Sequence, residues 1–126
     1  MNKLKLPAIA LAFAMGSTAS IAQECVAPTA VPTVPDGATS TMEQMLEGQK
    51  AVKAFQADNM AYLLCMDPKL AAAQEDIVAG SEEAVAAAEK LQESYNAAVS
   101  REEALASQFN TAIREYKAAN PAPTPK

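Results

Sequence analysis

Residues 70–116 read LAAAQEDIVAGSEEAVAAAEKLQESYNAAVSREEALASQFNTAIREY, and the spacing within this stretch decides the fold. Leu70, Ile77, Ala84, Leu91, Ala98, Leu105 and Ala112 recur every seven residues. A second line sits four residues on: Ala88, Tyr95, Phe109 and Tyr116, with Glu102 as its polar exception. Alternating steps of four and three put both lines on one face of a long helix. The stretch therefore predicts an all-α, coiled-coil-like scaffold, a helical hairpin once a first helix packs on it.

Upstream, the chain opens with a short basic start (Asn2, Lys3, Lys5) and an apolar run from Leu6 to Met15. That run is too short to span a bilayer, and Ser20-Ile21-Ala22 fits a small-x-small cleavage site. Residues 1–22 are expected to be a secretory signal peptide, cut after Ala22, with Ala19 as the alternative. The protein is then expected to be periplasmic or secreted, with no membrane span in its mature part. Glu24 beside Cys25 does not fit a lipidation site. The net charge is −5, and it grows more negative once Lys3 and Lys5 leave. An acidic surface argues against nucleic acid as a partner.

The two cysteines, Cys25 and Cys65, both lie downstream of the expected cut. In an oxidising compartment they are expected to pair, with two free thiols as the alternative. The segment 23–39 between the cut and the first helix contains Pro28, Pro32 and Pro35, which favour an extended path. Pro35-Asp36-Gly37 reads as a turn, with Pro fixing one backbone angle and Gly supplying a reversed one. Helix 1 is expected over 40–66. Ser40-x-x-Glu43 and Thr41-x-x-Gln44 both fit a capping box, and Met45, Val52, Phe55, Tyr62 and Met66 follow at helical spacing. Asn59 interrupts that stripe. As helix, residues 40–65 span about 38 Å. As extended chain, residues 26–39 span about 43 Å. The Pro-rich segment therefore has the length to run back along the helix and carry Cys25 to Cys65.

Asp67-Pro68 reads as a stop and a restart, because the residue before a proline is pushed out of helix and proline suits a first helical position. Helix 2 is expected over 68–119, with 120–126 as a Pro-rich tail. Gly80-Ser81-Glu82-Glu83 resembles a helix end followed by a fresh cap. The seven-residue line nevertheless passes from Ile77 to Ala84 without a phase slip, so one long helix weakened at Gly80 is favoured over two. That choice has a consequence. A 27-residue first helix covers only half of such a second one, leaving Tyr95, Leu105, Phe109, Ile113 and Tyr116 as a candidate interaction face for a second copy or a protein partner.

Chemistry-bearing patterns are sparse. With no histidine in the chain, Ser-His-Asp, Cys-His and His-ligated metal sites are excluded. Glu82-Glu83 and Glu102-Glu103 are neighbours on a helix, so their carboxylates point apart and read as solvated faces, except that Glu102 falls on the apolar line and is expected to be a seam-edge residue reaching water or a register-setting polar group. Met42, Met45, Met60 and Met66 are thioethers of the kind that select Cu(I), and a small-ligand or copper carrier is the alternative to a purely structural role. Methionine also fills cores. No catalytic residue, cofactor site or metal site is expected, and the chain is read as non-enzymatic.

Cys25-Val26-Ala27-Pro28, Pro35-Asp36-Gly37-Ala38-Thr39, Val52-Lys53-Ala54-Phe55, Tyr62-Leu63-Leu64-Cys65, Tyr95-Asn96-Ala97-Ala98-Val99 and Phe109-Asn110, together with Met45, resemble a group of small, uncharacterised exported proteins of Gram-negative bacteria. The resemblance implies a paired-cysteine helical protein and brings no activity with it. Residues 68–90 take no part in it.

Overall fold

The computed structural model describes residues 24–123, so the expected signal peptide and the last three residues of the tail lie outside the described residues. Among the described residues two helices make up the fold: α1, Met42–Val78, and α2, Glu82–Ala119, of 37 and 38 residues. Each is about 56 Å long. They pack against one another as an antiparallel hairpin, and the extended segment before α1 is tied to it through a Cys25–Cys65 disulfide with Cα atoms 5.7 Å apart.

The chain reverses at Gly80, not at Pro68, which corrects two expectations. α1 does not stop at residue 66, and residues 68–119 do not form one helix. The end of α1 is a Schellman motif: the Gly80 amide donates to the Ile77 carbonyl, and the Ser81 amide to the Asp76 carbonyl. Gly80 has φ +91°, a conformation that only glycine takes without strain. Ser81 then caps α2, accepting from the Ala84 amide at 3.3 Å, and Glu82 and Glu83 sit at the positive end of the helix dipole. Pro68 lies inside α1, where it leaves the Leu64 carbonyl without its helical donor. The helix continues because Met66 on one side of the proline and Ala73 on the other are both buried in the same seam.

At its other end α1 begins at Thr41, which forms the capping box with Gln44. The Gln44 amide donates to Thr41 Oγ1, and the Thr41 amide to Gln44 Oε1 at 2.8 Å. The turn before it is organised by Asp36, whose side chain accepts from the Ala38 amide and whose carbonyl accepts from Ser40. Gly37 does not supply a reversed backbone angle; among the described residues only Gly80 has positive φ. Gly37 is there for space, since a Cβ on it would fall onto the backbone carbonyl of Ala112.

The core is thin and has two parts. Met45, Val52 and Phe55 of α1 meet Leu105, Phe109 and Ala112 of α2, with Val34 of the strap packed on them. Nearer the tip, Tyr62 and Met66 close over Ala98, with Cys25, Ala27, Leu91 and Tyr95 around them. Near the tip the large residues come from α1 and face Ala98 of α2, whereas at the open end both helices contribute large side chains. Among the described residues four of the eleven buried apolar ones are alanines, which bury little area, so the strap matters. It contributes Val34 and Ala27 as side chains, and Arg101 of α2 reaches the Pro28 carbonyl at 3.4 Å. In the chain-entropy model, closing a forty-residue loop stabilises the fold by about 4 kcal/mol.

Two substitutions check this account by urea denaturation followed by far-UV circular dichroism. Pro68→Ala restores a donor to the Leu64 carbonyl and is expected to raise stability by about 1–3 kcal/mol; a loss would show that Pro68 opens a separate helix. Gly37→Ala must lift the strap from α2 and is expected to lower stability by about 1–3 kcal/mol. An unchanged midpoint would show that the strap does not bear on Ala112.

Candidate functional site

The buried faces of both helices follow the same arithmetic. On α1 the inward positions are 45, 48, 52, 55, 59, 62, 66, 69 and 73; on α2 they are 84, 88, 91, 95, 98, 102, 105, 109, 112 and 116. Every step is three or four, the pattern of a two-helix seam. Two of these positions hold residues out of place in an apolar seam, Asn59 and Glu102, and the structure brings them together.

Asn59 is fully buried. Its Nδ2 donates to Glu102 Oε2 at 2.8 Å and to the Ala98 carbonyl at 3.2 Å, which uses both amide hydrogens. Its Oδ1 has no hydrogen-bond partner. Glu102 is half-buried at the edge of the seam, with one oxygen turned inward to Asn59, as its place on the apolar line implies. A buried polar pair of this kind adds little to stability. Its use is to fix which residues stand opposite one another, because any slip along the seam strands the amide among apolar side chains. Two exceptions that stand apart in the sequence are thus one contact in the fold.

The face expected to meet a partner is instead turned inward. Leu105 and Phe109 are buried against Met45, Val52 and Phe55, and Tyr95, Ile113 and Tyr116 are half-buried at the edges of the two clusters. The break at Gly80 is the reason: it gives α2 a partner helix of equal length. Among these five, Tyr95, Ile113 and Tyr116 keep an accessible side. Ile113 and Tyr116, with Phe109 beneath them, line an open groove of about 360 Å³ at the end of the hairpin away from the turn, together with Met42, Leu46, Gln49 and Lys117.

The methionines do not converge. Met45 lies in the cluster at the open end and Met66 in the one near the tip, while Met42 and Met60 are exposed and about 27 Å apart along the helix. No group of three or more Cys, Asp or Glu side chains that could hold a metal ion occurs among the described residues. Glu82, Glu83 and Glu103 face solvent. No described helix is long and apolar enough to cross a membrane. A search of family models, curated proteins and solved structures finds no match to this chain.

One single and one double variant at the polar pair measure its weight. Glu102→Ala takes away an acceptor from a buried amide and is expected to cost about 1–3 kcal/mol. Replacing both Asn59 and Glu102 by leucine is expected to be neutral or stabilising, since no polar group is then left alone in the seam. A Glu102→Ala variant as stable as the parent in urea would show that the pair carries no weight.

Proposed function

We propose that this chain is an exported, non-enzymatic helical protein that acts by protein–protein contact or as a structural element in the periplasm, in keeping with the group it resembles. The observation that carries the proposal is the asymmetry of the hairpin. A disulfide clamps the strap over one long side, and the opposite side is uncovered while carrying large apolar residues. Met42, Leu46 and Met60 are each more than half exposed there, and Ile77 and Val85 follow toward the tip. A helical face with that much accessible apolar surface is a contact surface. The disulfide also supports export, since a bond of this kind persists in oxidising compartments.

Photo-crosslinking in intact cells tests the proposal. A photoreactive residue at Met60, on the uncovered side, is expected to give discrete adducts in the periplasmic fraction, and one at Ala54, beside the strap, is not. A protein retained in the cytoplasm with both thiols reduced, or a Met60 position that gives no adduct, would overturn it.

A further inference from the structure

The uncovered side has a composition that two helices alone do not need. On α1 the line flanking the seam on that side is Met42, Gln49, Gln56, Leu63, Leu70 and Ile77. On α2 it is Val85, Gln92, Val99, Ala106 and Ile113. The open-end groove fixes the side, because Met42 and Gln49 line it with Ile113 and no strap residue does. These eleven positions hold eight apolar residues, three glutamines and no charge, in a chain that is 20% charged. The flank beneath the strap differs, with Asp58 on α1 and Arg101 and Glu115 on α2. In a two-stranded coil the flanking positions are usually charged. An apolar flank added to an apolar seam is the pattern of a helix packed in a bundle.

We infer that this face is covered by a second copy of the chain, stacked antiparallel to form a four-helix bundle. The inference rests on the proposed use of the uncovered side for contact, and names its occupant. Three observations choose a second copy and its direction. The first is self-complementarity. Turning one hairpin end for end over the other sets Met42 against the partner's Ile77, Leu63 against the partner's Gln56 and Ile113 against the partner's Val85, with Val99 at the centre. This is the reciprocal pairing that a two-fold interface requires. The axis then passes at the height of the Asn59–Glu102 pair.

The second is charge. Between residues 61 and 100, the half of the hairpin nearest the turn, seven carboxylates face two lysines. The open half, residues 42–60 and 101–120, holds six carboxylates and five cationic side chains. Parallel stacking would lay two strongly acidic tips together. Antiparallel stacking separates them and brings Arg114 and Lys117 toward the partner's Glu82 and Glu83, which lowers repulsion. The third is area. A face about 56 Å long and two helices, about 20 Å, wide offers roughly 1,100 Å² per copy, above the roughly 800 Å² that a stable interface buries on each partner.

The oxidised protein is tested by light scattering after size exclusion and by targeted cross-linking. Within one chain, residues 42 and 77 are about 52 Å apart along α1 and cannot join. The expected results are a mass of twice the chain at sub-millimolar concentration, and a covalent dimer from the Met42→Cys/Ile77→Cys double variant but from neither single variant. Val85→Lys, at a position already exposed, is expected to weaken the dimer at least about tenfold with helicity unchanged, and it keeps the inference testable if the cysteine variants fold poorly. A monomeric mass overturns the inference, and so does a dimer cross-linked by Met42→Cys alone, which would mean parallel stacking. A monomer that still gives discrete Met60 adducts in cells overturns the second copy while leaving the contact face standing.

Discussion

One covalent bond makes the rest of this structure hold. The Cys25–Cys65 disulfide fastens a proline-rich strap at the middle of α1, and the Asp36 turn and the Thr41 cap fasten its other end at the start of the same helix. Between these anchors the strap crosses onto α2, where Gly37 sits against Ala112 and the Pro28 carbonyl accepts from Arg101. A seam relying on Ala73, Ala84, Ala98 and Ala112 gives the two helices little area to bury. The strap is a third layer on such a core. Its own entropy cost is lowered by prolines, which restrict the unfolded chain before folding begins. Gly48 shows how closely it lies, since a Cβ there would meet the Pro35 ring at 2.7 Å.

Much of this was legible in the residues. The strap could be foreseen because two independent lengths agreed, and the capping box at Thr41 because its chemistry is local. The turn at Gly80 was written locally, as a helix end and a fresh cap, but the seven-residue count argued against it. Leu70 and Ile77 are in phase with Ala84, but they belong to the flank of α1, while Ala84 begins the seam of α2. A connection of only Ala79, Gly80 and Ser81 happens to preserve the count of seven, so the periodicity runs through a reversal of direction. Pro68 misled for a related reason. Its local cost in a helix interior is real, but packing of Met66 and Ala73 on either side of it outweighs one missing hydrogen bond.

The placement of the turn then decides everything about the surface. With a short first helix and a long second one, Phe109 and Tyr116 would want a partner from outside; with two helices of nearly equal length, they have one within. Asn59 and Glu102 follow the same logic. Each interrupts its own stripe, and only a turn at residue 80 brings the two to the same height. The uncovered flank emerges last, because it is defined by the side on which the strap does not lie. Its lack of charge was present in the sequence throughout, but had no meaning until the strap chose a side.

Hydrogen exchange read by mass spectrometry, on the oxidised and the reduced protein side by side, tests most directly whether the strap is part of the core. If it is, breaking the disulfide will raise exchange not only in residues 24–40 but through the middle of both helices, around Val52–Met66 and Tyr95–Phe109. Reduced protein whose helices stay as protected as before, with only the strap exchanging faster, would contradict the account: the hairpin would then stand by itself and the strap would be a passenger.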